Sequence, residues 1–374
     1  MLTEYIAQAI PYQDVDKKNS RSNFLKKIKL KAHKILHWEY WPFHVIYFPM
    51  HAVWLYYAIR SKSFFFFNAA NPRIKNGGFL MESKKEIYDL IPNHYYPTTI
   101  LIQHGSSLSV VKEQLSAKAL SYPLIAKPDI GMRGMAVQKI NSEQELLHYN
   151  AASQVNYLIQ KFIDLPNEAG VFFVRIPGEA SGKITGIVAK EFLIVKGDGN
   201  STLLELLEKN PRFHLQLDVL QKEYKHQLNF VVPEGEEMNL VPYGNHCRGA
   251  KFTDASIHAT TELNNVINNV CTQIPEFYFG RLDIKYNTME EFKAGKNFSI
   301  IELNGAGSEP THIYDPAHSI FFAWKEIARH FNYLYLISKA NKSAGAHYLS
   351  MREGITMLKE NNLLLNKLQS FSIS

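Results

Sequence analysis

Cysteine is scarce: Cys247 and Cys271 are the two in 374 residues, with neither a CxxC motif nor a Cys/His spacing of the zinc type. That excludes a disulfide framework and a structural zinc site, and it predicts free thiols in a reducing compartment. Internal repeats and low-complexity tracts are also missing, which excludes solenoid and disordered classes. The P-loop and dinucleotide fingerprints do not occur. The opening stretch MLTEYIAQAIPYQD has no long apolar core, so no secretory leader is expected and a cytoplasmic location is. What remains is a chain 46% hydrophobic and 13% aromatic, long enough for two or three domains sharing an interface.

Charge is nearly balanced, 41 basic against 35 acidic residues, but the excess is concentrated. Lys17, Lys18, Arg21, Lys26, Lys27, Lys29, Lys31 and Lys34 fall within one eighteen-residue stretch. No nucleic-acid recognition motif accompanies them. An aromatic segment follows, apolar from Trp41 to Ile59 and interrupted by His44, His51, Pro42 and Pro49. Its length is at the bottom of the membrane-spanning range, and its Trp and Tyr content suits a membrane interface better than a hydrocarbon core. Two readings stand side by side: peripheral contact with the inner face of a membrane through residues 17–67, or a helical element packed on the body. His37, His44 and His51 recur every seven residues, two helical turns apart and about 10.5 Å in rise, too far to share one metal ion. Residues 1–80 are set apart as a basic, aromatic N-terminal segment.

From Met81 onward the pattern is α+β. The spacing predicts helices over 108–120 and 255–274, and strands in YPLIAK, in a segment returning from Met135, in VNYLIQKFID, EAGVFFVRI, GIVAKEF and FGRLDIKY. The loop between Lys127 and Met135 carries Gly131 and Gly134, whose missing side chains let backbone N–H groups approach a phosphate. A turn at Gly197-Asp198-Gly199 leads to a helix capped by Ser201 or Thr202, with Glu205 as capping-box partner. A hairpin through EEFKAGKN is expected before the last strand.

That last strand, FSIIELNG at 298–305, is apolar for most of its length but carries Glu302 and Asn304. Simple alternation puts Ile300, Glu302 and Asn304 on one face, and Ile301 and Leu303 on the other. On RLDIKY, Arg281 and Asp283 share a face. If the two strands pair, two carboxylates, a carboxamide and a guanidinium converge. A surface strand with polar outward positions is the plain alternative. Oxygen donors of this kind suit Mg²⁺, which binds through one or two carboxylates plus substrate phosphates. Two such ions can be bridged by one carboxylate.

The order of these parts resembles the ATP-grasp superfamily, in particular its carboxylate–amine members of the D-alanine–D-alanine ligase-like and cyanophycin synthetase-like branches, over roughly residues 83–316. ESKK places Lys84, and IAKPDIGMRG places Lys127, where the superfamily has its two phosphate-contacting lysines, with Gly131 and Gly134 in the loop that closes over the triphosphate. QKFI (Gln160, Lys161, Phe162, Ile163) matches the adenine-binding hinge, with Gln160 where Glu is usual. Glu168 matches the ribose-binding acid, with one extra residue in between. Lys190 stands where one branch has a basic residue near the nucleotide. RLD and ELN match the metal strands, which implies Asp283, Glu302 and Asn304 as ligands and Arg281 as the stabiliser of an oxyanion.

The resemblance implies an ATP-grasp fold, with two α+β lobes holding ATP between them. A catalytic region is expected over 81–335, with a central lobe at about 121–196 and a C-terminal lobe at about 197–335; the helical periodicity from about Ala317 adds a tail, set at 336–374, for packing or dimerisation. The implied activity is Mg²⁺- and ATP-dependent carboxylate–amine ligation through an acylphosphate, with Mn²⁺ able to substitute and small-molecule carboxylate and amine as partners. A kinase acting on another acceptor and a non-catalytic nucleotide-binding module remain as alternatives. Two departures stand out. The usual Rossmann-like N-terminal subdomain is replaced by the basic, aromatic segment. After ELN the chain reads GAGSEPTHIYDP, so Ser308, Glu309 and His312 become candidates for a different acceptor pocket, with Arg248 and Lys251 from GNHCRGAKFTDAS as candidates for an anionic substrate.

Overall fold

The computed structural model describes residues 37–132, 134–191, 193–209, 213, 220, 227–241 and 251–370. The basic run at 17–34, Cys247 and Arg248 lie outside them. The chain divides into two compact units: one takes in 46–190 and everything from 252 onward, the other 191–251 with the residues up to 45.

Helices α1 (Phe43–Tyr47) and α2 (Met50–Ser61) begin the described chain, and α3 (Lys84–Leu90) follows. Strands β1 (Thr99–Ile102), β2 (Leu124–Pro128), β3 (Gln138–Ile140) and β4 (Tyr157–Lys161) alternate with helices α4 (Leu108–Ala117) and α5 (Glu143–Ala152). They make a four-stranded antiparallel sheet in the order β1-β4-β2-β3. Its inner face, with Ile100, Ile102, Leu124, Ala126 and Ile159, packs on Val111, Leu115, Leu146 and Tyr149 from the two helices. Ser107 and Ser142 cap those helices by accepting from the backbone N–H three residues on.

Strands β5 (Asn167–Val174) and β6 (Lys183–Glu191) belong to a second sheet. In the other unit, β7 (Leu193–Lys196), α6 (Leu203–Lys209) and β8 (Glu237–Val241) surround Val195, Leu203, Leu207, Val232 and Leu240. The capping box read there is present: Glu205 accepts from Thr202 N–H at 2.8 Å, and Thr202 Oγ1 accepts from Glu205 N–H at 3.2 Å. The second sheet is completed by β9 (Lys251–Asp254), β10 (Phe279–Tyr286) and β11 (Phe298–Asn304), in the order β11-β10-β5-β6-β9. Helix α7 (Thr261–Thr272) covers it through Leu263, Ile267, Val270 and Cys271, which meet Val171, Phe173, Ile187, Leu282 and Ile284. Helices α9 (Ile320–Ser343) and α10 (Met351–Ser370) follow α8 (Met289–Lys293) and β11 in the chain.

The structure is thus α+β with antiparallel sheets, as the sequence implied. Three local readings change. The helix expected from 255 starts at Thr261, because Thr260 caps it; a short 3₁₀ turn occupies Ser256–His258. The charged stretch between β10 and β11 contains the short helix α8, capped by Thr288, instead of a plain hairpin. The third change matters most. The register of β10 against β11 shifts between Asp283 and Ile284, so Ile284 faces Ile300 while Asp283 faces Glu302. Ile301 is the extra residue of a β-bulge. Ile300 therefore joins Leu303 in the core, away from Glu302 and Asn304.

Candidate nucleotide and metal site

The two sheets of the larger unit meet at a cluster of ions that begins with helix α3. Ser83 caps α3 by accepting from Glu86 N–H, and its hydroxyl also donates to Asp129 at the end of β2 (2.9 Å). Asp129 accepts from Lys85 N–H at 2.9 Å, and its carbonyl accepts from Lys84 N–H at 3.1 Å. The ESKK and KPD segments are therefore clamped together, which fixes where Lys84 stands. Its ammonium donates to the Gly131 carbonyl (2.6 Å) and lies 3.9 Å from Glu302. One helical turn on, Tyr88 shares the face of Lys84.

Lys127 is buried and makes three hydrogen bonds, to Tyr88 Oη (2.9 Å), Gln160 Oε1 (3.0 Å) and the Ile301 carbonyl (3.1 Å). Tyr88 donates to the same Ile301 carbonyl. The bulge residue on β11 thus becomes the acceptor that joins the sheets. Burial pushes the Lys127 ammonium down to about 8, opposed by Glu302 and Asp283. Burial also raises the Tyr88 hydroxyl, which stays protonated. Gln160 is oriented by Thr99, whose Oγ1 accepts from its Nε2 at 2.8 Å. An amide suits this place: its oxygen takes the lysine while its nitrogen spends a donor on the neighbouring strand.

Deeper in the sheet, Lys190 on β6 pairs with Glu168 (2.7 Å) and Asp283 (3.2 Å), all three buried. Arg281 reaches back to Asp283 through Nε (3.0 Å) and Nη2 (3.3 Å), and its Nη1 faces the Glu309 carbonyl at 3.4 Å. Burial alone would raise the Asp283 carboxyl, but Arg281 and Lys190 overcome it and hold it below the usual range. Burial opposes the charge on Lys190 as well, and Asp283 with Glu168 reverses that and raises it. Gly170 on β5 pairs in register with Asp283, and a Cβ there would sit 3.1 Å from both Arg281 Cδ and Asp283 Oδ1. A glycine leaves the room this ion pair occupies.

Asp283, Glu302 and Asn304 do share one face, with Asp283 opposite Glu302 and Arg281 opposite Asn304. The Nδ2 end of Asn304 is buried and has no hydrogen-bond partner. Rotation of its amide would present oxygen at that place. Glu302 is about one-third exposed, with Lys84 at contact distance. An orphaned amide beside an accessible carboxylate suits a hard cation that keeps some of its waters. Asp283, with both oxygens engaged by Arg281 and Lys190, could join such a site by loosening one of those pairs. Among the described residues no group of three His, Cys, Asp or Glu side chains gathers to hold a metal.

The remaining candidates make other contacts. Lys161 is exposed at the end of β4, and its N–H donates to the Thr98 carbonyl at 2.9 Å. Phe162 lies under Lys139 (4.1 Å) and Lys285 (5.7 Å), and Ile163 follows in the segment before β5. The Ser308 hydroxyl is spent on the Asn304 and Gly305 carbonyls (2.7 and 2.6 Å). Glu309 accepts from Tyr47 (2.6 Å) and Tyr314 (3.0 Å). His312 is buried 3.4 Å from Glu326 and packed against Gly186. Lys251 pairs with Glu191 at 2.9 Å. Sequence reasoning missed Tyr88, Asp129, Thr99 and the Ile301 carbonyl. The four-residue spacing of Lys84 and Tyr88 on a helix was the available signal for Tyr88. A bulge leaves none.

No family profile matches the sequence, and no curated protein matches it significantly. Solved structures do match. The VanG D-Ala:D-Ser ligase of Enterococcus faecalis aligns over 68% of this chain and 61% of its own, with 14% identity and a TM-score of 0.39. The D-alanine–D-alanine ligase of Bacillus anthracis aligns over 70% and 69%, with 12% identity and a TM-score of 0.39. A bifunctional glutathione synthetase from Pasteurella multocida aligns over 68% and 38%, with 13% identity and a TM-score of 0.36. At such identities and scores the likeness concerns the fold, and the chemistry must come from the side chains.

Proposed function

We propose that the chain is an ATP-dependent, ADP-forming carboxylate–amine ligase. The observation that carries this reading is the convergence of buried Lys127 and of Lys84 on Glu302, Asp283 and Asn304 where two antiparallel sheets meet. Cations and carboxylates set side by side at a seam suit a polyphosphate, whose charge the lysines offset and whose metal the carboxylates hold. Mg²⁺ held by Glu302 and Asn304, with Asp283, would neutralise charge between the terminal phosphates and an incoming carboxylate.

The chain's own groups have distinct tasks in this reading. Lys84, tied to the Gly131 carbonyl, and Lys127, tied to β11, hold the phosphates and couple the loop at 131–134 to the site. Gln160, Lys161, Phe162 and Ile163 line the segment proposed to receive the base, and Glu168 with Lys190 the ribose side. The γ-phosphoryl group passes to the substrate carboxylate, giving ADP and an acylphosphate. An amine then attacks the carbonyl carbon, the C–O bond to phosphate breaks, and phosphate leaves as the amide forms. Arg281 faces the negative charge that develops on the carbonyl oxygen. Ser308 and Glu309, just past β11, are proposed for the acceptor side.

Hydroxylamine trapping tests the reading. Protein, Mg²⁺, ATP and a panel of small carboxylates should yield a hydroxamate and ADP with at least one acid, and Lys127→Met should abolish both. A stable phosphorylated product that resists hydroxylamine would assign phosphotransfer to another acceptor instead. ATP turnover indifferent to every acid and amine, with no hydroxamate, would refute ligation.

A further inference from the structure

Helix α2 is apolar on both of its faces, and one face is already used. Trp54 packs among Phe66, Phe67 and Phe331, with ring centroids 5.0, 5.4 and 5.2 Å away. Tyr57 stacks on Tyr335 at 4.9 Å and donates to Asn332 at 3.1 Å. These contacts seat the helix on α9. The opposite stripe, at helical spacing, is Leu55, Tyr56 and Ile59, with Ile59 68% exposed, and Phe48, 78% exposed, precedes the helix. Phe64, beyond the helix end, lies edge-on to Trp54 at 6.4 Å on the packed side, and Phe321 at the start of α9 is 73% exposed. Phe321 lies against Trp324, whose indole N–H donates to the Ile46 carbonyl at 2.9 Å, so it opens beside the beginning of the same segment. Arg60, Lys62 and Lys325 are exposed among these residues.

The charge around this face is one-sided. Residues 46–81 hold Arg60, Lys62, Arg73 and Lys75 and no acid. A protein partner would need an acidic, aromatic-accepting groove to match this. A bilayer with anionic headgroups matches it without further assumption: rings and aliphatic tips enter the headgroup boundary while cations meet lipid phosphates. The twelve residues of α2 rise about 18 Å, well short of the roughly 30 Å hydrocarbon layer. No described helix is long and apolar enough to cross a membrane.

We propose that the outer face of α2, with Phe48 and Phe321, docks the protein flat on an anionic lipid surface. The binding is monotopic and reversible. It is independent of whether the ion site forms amide bonds.

Co-sedimentation of the full chain with vesicles tests it. Phosphatidylcholine vesicles with and without 30 mol% phosphatidylglycerol would be compared at low and high salt. The sedimented fraction should rise roughly tenfold with the anionic lipid and fall at high salt. The double variant Leu55→Glu/Ile59→Glu, checked for an unchanged thermal midpoint and circular dichroism spectrum, should lose most of it. No sedimentation with either vesicle overturns the proposal. So does binding that the double variant leaves intact, which would shift the contact to residues outside this face. A dimer in solution that the double variant splits, with no vesicle binding, would show that a second copy covers the stripe instead.

Discussion

Lys127 is the residue on which the site turns. Its charge is maintained in a buried place by two side-chain oxygens and a main-chain carbonyl, with Glu302 and Asp283 nearby. Lys127→Met keeps the length and removes the charge, so it should lower ATP turnover by about 100-fold or more while leaving the fold melting cooperatively. Steady-state ADP release read beside a denaturant curve separates the two effects. Lys190 makes the opposite case. It neutralises buried Glu168 and shares Asp283 with Arg281, so Lys190→Met leaves a buried carboxylate uncompensated. The expected cost is about 3–5 kcal/mol of stability, seen as a lower urea midpoint with unchanged slope. At this scale the sequence was informative. Asp283, Glu302 and Asn304 stood out because charged and amide groups interrupt apolar strands, where a bare carboxylate is costly, whereas Lys84, Lys127 and Lys190 were singled out by the motif resemblance. Tyr88 and Thr99 were not, because a tyrosine or threonine in an apolar run is ordinary core material until its partner is known.

At the scale of elements, alternation on β10 held and alternation on β11 failed at one position. One inserted residue moved Ile300 to the core and presented the Ile301 carbonyl to Lys127 and Tyr88. No propensity encodes that insertion, since isoleucine is at home in either arrangement. Boundaries failed where a cap overrode periodicity, as at Thr260 and Thr288. The place of Gly170 in β5 was equally silent. Gly170→Ala would bring a Cβ within 2.9 Å of Val188 Cγ1 and against the Arg281–Asp283 pair. It should cost about 1–3 kcal/mol by overpacking, measurable by chemical denaturation. Helix α9 supplies a pH dependence. His330 is buried, its Nδ1–H donating to the Glu326 carbonyl (2.7 Å) and its Nε2 facing the Thr185 hydroxyl (2.9 Å). Burial pushes it down to about 4. The unfolded chain therefore binds this proton first, so the stability is present above the ordinary histidine value near 6.5 and drains away as pH falls toward 4. The drop should reach about 2–3 kcal/mol between pH 7 and 4, and a thermal melt series should show His330→Gln flattening that slope.

At the scale of the molecule, the two sheets of the larger unit form the seam that gathers the ions, and both were legible as an α+β succession. The long-range joins were harder to read, because contacts such as Lys127 to Ile301 depend on how two sheets approach. In the aromatic N-terminal segment, α2 packs one face on α9 and leaves Leu55, Tyr56 and Ile59 exposed on the other.

The measurement closest to the central claim is equilibrium binding of a non-hydrolysable ATP analogue, with and without Mg²⁺. It would be run on the wild-type chain and on Lys127→Met and Glu302→Gln. The account expects binding that Mg²⁺ strengthens, that Lys127→Met weakens in either condition, and whose Mg²⁺ dependence disappears in Glu302→Gln. Equal affinity in all three proteins, or none in any, would contradict it.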